Sequence, residues 1–326
     1  MINRQNYKDV KAYINYLVSV KQLSPKTAEC TEDRLRHFIK WADSVAFSEA
    51  KSIKVTFQAF LESHKTNDQK PLGAAYLSAI FKTTRAFMYW ARREYPVRYK
   101  KIDSTWVDSL RPTRLRSEQA FLKTREIYTL EEVRKLVDFP ASTTAEKRIR
   151  AAAAFLFLSG MRIGAFLTMP IKCVDLDQWL VRQLPEMGVH TKNSKAAITY
   201  LLNIPELRLV VSEWDNFIRG SLSEDALWYT YLDPWGYLTN KTQRAEYSRV
   251  DFRRYLIGLC EKAQVAYKSP HKFRHGHAVY ALKLAKTIPQ VKAISQNLMH
   301  SNMGITDGIY GRLVNDDVKD FIQGLS

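Results

Sequence analysis

Between Ala151 and Met169 the chain carries nineteen residues with a single charge, Arg162, towards the middle. A run that apolar has two homes, the core of a folded domain or a bilayer, and either one dictates what packs around it. Placing an arginine near the midplane of a membrane costs about 2.5–3.5 kcal/mol on insertion scales. Gly160 and Gly164 flank the charge, and Pro170 closes the run. The pattern therefore predicts a buried helix of a globular domain with one inward-pointing arginine. A buried arginine calls for an anion to face it.

The charge balance says what kind of anion. Fifty Lys and Arg oppose thirty-three Asp and Glu, a net +17 over 326 residues. An excess that large suits a polyanionic partner, either nucleic acid or an acidic membrane surface. Aromatic residues make up 12% of the chain and no low-complexity block occurs, which argues against disorder. Cys30, Cys173 and Cys260 form no paired spacing. A Cys-based zinc site and a disulfide scaffold are set aside, and a reducing cytoplasm fits. The opening residues, Met1 to Lys8, hold no apolar signal core, so a cytoplasmic protein without a membrane partner is expected.

The length allows two domains. In the first part Tyr7, Val10, Tyr13, Ile14, Leu17 and Val18 recur at helical spacing. Ser24-Pro25 reads as an N-cap followed by proline at the first helical position, opening a helix with Leu35, Phe38, Ile39 and Ala42 inward. A third helix carries Phe57, Phe60 and Leu61, and a fourth runs from about Ala74 to Tyr95, stopped by Pro96. From Arg92 to Arg116 the chain is basic and interrupted by Pro96 and Pro112, which predicts an irregular connection between domains with a cationic face.

A second domain starts near Tyr128, where Thr129 and Glu132 form a capping box ahead of Val133 and Leu136. The apolar helix with Arg162 follows. Trp179, Val181, Leu184, Val189, Ile198, Tyr200 and Leu202 favour short strands, with Asn193-Ser194 as a turn. Helices are expected again at 207–218, 244–263, 270–285, 289–298 and 314–325. The fold class is mainly α with a small β-sheet in the second domain.

Within Ser269-Pro270-His271-Lys272-Phe273-Arg274-His275, His271 and Arg274 stand three apart at a helix N-terminus and share a face. Such an end favours phosphate through its free N–H groups and its dipole. Leu298-Met299-His300-Ser301 ends a later helix, and Tyr310 follows His300 by ten residues. His275-Gly276-His277 has no nearby Cys or carboxylate and is not taken as a metal site.

In order, Arg162 in Ser159-Gly160-Met161-Arg162-Ile163, a lysine in a β-turn, His271-x-x-Arg274, His300 and Tyr310 resemble the active site of the tyrosine recombinase (phage integrase) family. The resemblance covers nearly the whole chain. Leu23-Ser24-Pro25-Lys26-Thr27 is similar to the opening of that family's helical core-binding domain, and Tyr128-Thr129-Leu130-Glu131-Glu132-Val133 to the start of its catalytic domain. It implies a two-domain architecture: residues 1–115 as the helical, DNA-binding domain with a basic connector from about 92, and 116–326 as the catalytic domain.

The activity implied is site-specific cleavage and rejoining of double-stranded DNA through a 3′-phosphotyrosyl intermediate, by a homo-tetramer on paired sites, with no metal, ATP or other cofactor. Arg162 and Arg274 would clamp the non-bridging phosphate oxygens with planar, permanently charged forks. His271 and His300 would add hydrogen bonds or move a proton, and Tyr310 would be the nucleophile. A hairpin lysine would protonate the leaving 5′ oxygen. Thr191-Lys192-Asn193-Ser194-Lys195 offers two, of which Lys192, the first, is chosen over Lys195. Two departures stand out. Ala165 occupies the usual acidic position three after the first arginine, and the interval from His300 to Tyr310 is one residue longer than usual. Two other readings stay open, a type IB-like topoisomerase and a DNA-binding factor that has lost catalysis. Val314, Val318, Phe321, Ile322 and Leu325 form an apolar stripe that the resemblance would dock into a neighbouring protomer.

Overall fold

The computed structural model describes residues 2–65, 69, 71–112, 126–243 and 248–299. The chain divides into two units, residues 1–124 and 125–326, each with its own apolar core.

In the first unit the helix starts follow local chemistry. Helix α1 (Arg4–Ser19) begins at Asn3, whose side chain accepts from the N–H groups of Gln5 and Asn6. Helix α2 (Pro25–Ala42) starts as Ser24-Pro25 predicts, with the Ser24 hydroxyl accepting from Thr27 and proline in the first turn. Helix α3 (Phe57–Ser63) is capped by Thr56, and α4 (Ala74–Glu94) is the longest of this unit. Leu35, Phe38, Ile80, Phe87 and Met88 are completely buried where α2 and α4 meet. Phe38 stacks on Phe47 at 4.5 Å between ring centroids and on Trp41 at 5.2 Å. On α1 the inward face differs from the apolar pattern. Tyr7 and Val18 are exposed, while Asn6 and Asp9 are buried. Each buried polar group is matched: Asn6 accepts from the Phe47 N–H and donates to the Val45 carbonyl, and Asp9 accepts from Gln5, Arg98 and Tyr99.

The basic stretch expected to be an irregular connector from about residue 92 belongs instead to this unit. Arg92 and Arg93 lie in the last turn of α4, and a further helix, α5 (Ser104–Ser109), follows with Asp103 as its cap. Tyr99, Ile102, Val107 and Leu110 are buried in the same core, and Arg98 and Tyr99 bind Asp9 at 2.7 Å each. A run rich in arginine reads as solvated, but four apolar side chains and a buried carboxylate outweigh that tendency.

In the second unit α6 (Leu130–Asp138) opens on the expected capping box, Thr129 with Glu132. Helix α7 (Thr144–Ser159) opens on another, Thr143 with Glu146, and every residue from Ala151 to Ser159 is buried. It is the central helix of the unit. Helices α6, α9 (Pro205–Arg219), α10 (Ser248–Lys262) and α11 (His271–Leu284) all pack on it. The apolar run is not one continuous helix, however. It breaks at Gly160, which takes a left-handed conformation (φ 61°) that closes α7. Arg162 stands outside α7, as the residue preceding the short helix α8 (Ile163–Phe166). Among the described residues, no helix is long and apolar enough to cross a membrane.

A three-stranded antiparallel sheet follows, β1 (Val174–Asp175), β2 (Leu180–Gln183) and β3 (Ala197–Tyr200), in the order β1-β2-β3. Leu180 faces Tyr200, and Gln183 faces Ala197. Strand β1 carries no alternating pattern and is not legible beforehand. Leu184 and Val189, read as strand residues, flank a 3-10 turn at Pro185–Met187 instead. Helix α12 (Ile288–Asn297) closes the described part of the unit. The expected helix at 314–325 lies outside the described residues.

Candidate active site

Three of the expected site residues, Arg162, His271 and Arg274, lie near the end of α7. Gly160 cannot be replaced there without strain. Its φ is positive, and a Cβ would meet the His277 ring and Leu298 Cδ2 at 2.8 Å. Its carbonyl accepts a hydrogen bond of 2.7 Å from Arg274 Nη1, while Arg274 Nη2 donates to the Leu298 carbonyl at the end of α12. Arg274 is only 3% exposed, so its fork joins three elements, α7, α11 and α12, through two backbone acceptors. The fixed spread of guanidinium donors suits two carbonyls on different elements.

His271, one turn earlier on α11, is exposed, and its ring lies 4.6 Å from that of His275, nearly perpendicular to it. Its pKa is held below the ordinary imidazole value, first by desolvation and then by the positive charges of Arg274, Arg162 and Lys272. Both arginines therefore act on one imidazole. Packing thus brings Arg162, two residues beyond the glycine that ends α7, close to a pair more than a hundred positions away: Arg274, bonded to that glycine's carbonyl, and His271, one turn before it. Arg162 is partly buried and its carbonyl accepts from Ala165 and Phe166, so its backbone is held by the turn of α8. Ala165 is buried and offers no carboxylate to this group.

His277 has a different part. It is buried, its Nδ1–H donates to the Phe157 carbonyl at 2.7 Å, and desolvation lowers its pKa to about 4. A neutral imidazole thus ties α11 to α7. Among the described residues, no group of three or more His, Cys, Asp and Glu is placed to hold a metal ion.

Lys192 and Lys195 both lie, exposed, on the 3-10 turn Lys192–Ser194 and its cap, ahead of β3. Asn193 and Ser194 have positive φ (60° and 50°), and the Thr191 hydroxyl donates to the Lys195 carbonyl at 2.6 Å, so the expected turn is real and locally braced. The described contacts do not bring either lysine onto the arginines. His300 and Tyr310 lie outside the described residues.

One cation near the site has no signal in the sequence. Arg249, exposed in the first turn of α10, lies over Gly164, where a Cβ would stand 3.0 Å from its Nη2. Arg249 therefore lies beside the turn that carries Arg162. Helix α10 is anchored by Arg148, a fully buried cation that stacks between Tyr229 and Tyr255 at 4.5 and 4.7 Å, donates to the Thr230 carbonyl at 2.6 Å and pairs with Asp251 at 3.4 Å. Eighty-odd residues separate Arg249 from Gly164 in sequence, and only packing brings them together.

Comparison with known proteins bears on the family and the fold. The model of the phage integrase family matches residues 126–316. The tyrosine recombinase XerC of Yersinia pestis is 23% identical over 314 residues, 93% of this chain and 89% of that protein. Among solved structures, an integrase of the Tn1549 transposon in complex with circular intermediate DNA superposes with a TM-score of 0.62 at 14% identity, over 98% of this chain and 99% of that one. A lambda integrase dimer bound to a core site gives 0.64 at 14% identity, over 95% and 97%.

Proposed function

The chain belongs to the phage integrase family, and from that premise we propose that it is a site-specific DNA recombinase that cuts and rejoins duplex DNA through a 3′-phosphotyrosyl intermediate. The geometry that supports the reading is the placing of Arg162 two residues after Gly160, whose carbonyl accepts from Arg274 at 2.7 Å, with His271 one turn before Arg274 on the same helix. Strand cleavage concentrates negative charge on the non-bridging oxygens of a pentacoordinate phosphorus, and fixed cations there lower the barrier. Arg162 and Arg274 supply that charge, His271 and His300 hydrogen-bond the phosphate or take up the phenolic proton, and the deprotonated Tyr310 oxygen attacks phosphorus. The P–O5′ bond breaks as Lys192 delivers a proton to the leaving oxygen. The phosphotyrosyl ester conserves the bond for rejoining, so the reaction consumes no ATP and needs no metal.

In this reading the helical and the catalytic domains, expected at 1–115 and 116–326 and matching units 1–124 and 125–326 of the fold, both contact duplex DNA, and a homo-tetramer assembles on paired sites. The net charge of +17 favours phosphate contacts and a steep salt dependence. Arg249 is assigned a phosphate next to the scissile one. Arg249→Ala should lower the slope of log K against log salt by about 1 without changing sequence preference. An unchanged slope would remove Arg249 from the interface.

The decisive experiment uses a nicked duplex bearing the sequence that the protein selects from a random-sequence pool. Incubation in EDTA without nucleotide should leave protein covalently attached to a DNA 3′ end. Binding without attachment would mark a DNA-binding factor instead. Efficient relaxation of a plasmid lacking the selected sequence would mark a topoisomerase.

A further inference from the structure

Strand β3 is an outer strand of the sheet, so its far edge presents backbone groups that no strand pairs among the described residues. At Tyr200 one side chain takes both. The Tyr200 N–H donates to Asn297 Oδ1 at 2.7 Å, and Asn297 Nδ2 donates to the Tyr200 carbonyl at 3.0 Å. The carboxamide thus stands in for a paired residue and fixes the end of α12 to β3. The bonding continues inward, from the Thr199 hydroxyl to the Asn297 carbonyl at 3.3 Å and from Gln183 Nε2 to Thr199 Oγ1 at 2.6 Å. On the other side, the next carbonyl along the chain, that of Leu298, accepts from Arg274. Asn297 and its covalent neighbour Leu298 therefore join, by hydrogen bonds on either side, the buried arginine of the site and the strand that leads directly out of the Lys192–Lys195 turn.

We infer that Asn297 is a positioning residue, which holds the lysine-bearing hairpin in place relative to the Arg274 end of the site. The inference rests on the proposal that a lysine of this turn protonates the leaving 5′ oxygen. If the hairpin drifts, the phosphate clamp stays intact and only proton delivery suffers. An amide that served folding alone would affect every step equally.

A 5′-bridging phosphorothiolate separates the two. Its leaving group is a thiolate, whose conjugate acid has a pKa near 8.5, so cleavage proceeds without a protein acid. Asn297→Ala and Asn297→Asp should cleave the selected nicked duplex roughly tenfold or more slowly when the bridge is oxygen, since a small displacement of a reacting group is costly. With sulfur in the bridge both should come within about twofold of the unsubstituted chain, because no proton is required. Asn297→Asp is isosteric and keeps the acceptor for the Tyr200 N–H, so it answers the question even if the alanine variant folds poorly. Lys192→Ala and Lys195→Ala are run alongside. Rescue by sulfur of a lysine variant and of both Asn297 variants supports the inference. Rescue of a lysine variant while the Asn297 variants stay slow on both bridges overturns it, as does normal cleavage of the oxygen bridge by Asn297→Asp. Rescue of neither lysine variant would overturn the proposal of a hairpin acid, and this inference with it.

Discussion

Tyr310→Phe is expected to bind the selected duplex as tightly as the unsubstituted chain and to form no covalent adduct. Only the phenolic oxygen is lost, and no cation is removed with it. A phenol with an ordinary pKa near 10 is almost entirely protonated at neutral pH, so attack on phosphorus depends on a cationic surrounding that favours the phenolate. A denaturing gel of the nicked duplex reads the outcome directly, and a binding titration supplies the control. An adduct formed by Tyr310→Phe would show that another residue is the nucleophile, and the ordered set of residues would lose its last member.

The second large effect separates the two arginines. Each should lower cleavage about 10²–10³-fold when replaced by alanine, the usual cost of removing a donor aimed at developing charge. Their effects on stability should differ. Arg274 is buried and bonded to the carbonyls of Gly160 and Leu298. Its removal leaves two buried acceptors unmatched, at about 1–3 kcal/mol each. The catalytic unit should then melt several degrees lower, at roughly 2–4 °C per kcal/mol for a domain of this size. Arg162 is partly buried beyond the end of α7, and its alanine variant should shift the melting temperature far less. Equal losses of stability, or near-normal cleavage by either variant, would refute this division of labour. Arg274→Lys should resemble alanine, because a single ammonium cannot span two carbonyls on separate helices.

Much of the framework was legible residue by residue, because helix starts and stops are local events. The caps at Ser24 and Thr129, the proline at the head of α2 and the turn at Asn193-Ser194 depend on side chains reaching their own backbone within a few positions. The buried character of the run from Ala151 followed from its lack of charge. Its interruption at Gly160 did not, since glycine flanked by apolar residues is compatible with a helix until something must pack against its bare Cα. Here His277 and Leu298 do so, from distant parts of the chain. The connector from Arg92 misled for the converse reason. Composition reports charge, whereas Asp9, 89 and 90 positions upstream, gathers Arg98 and Tyr99 into the core.

The candidate site divides along the same line. The sequence by itself supplied the candidates and their order: Arg162, the lysine pair, His271, Arg274, His300 and Tyr310. Singly each is a weak signal, and the set carries its reading through the family that its order resembles. Tertiary structure alone decided that Arg274 spends two of its donors on the carbonyls of Gly160 and Leu298, that Arg249 lies over Gly164, and that Asn297 closes the edge of β3. These are contacts between segments separated by 24 to 114 positions. Hydrogen bonds of that reach leave no periodic or local trace in a sequence, because their partner is a backbone group, which every residue possesses.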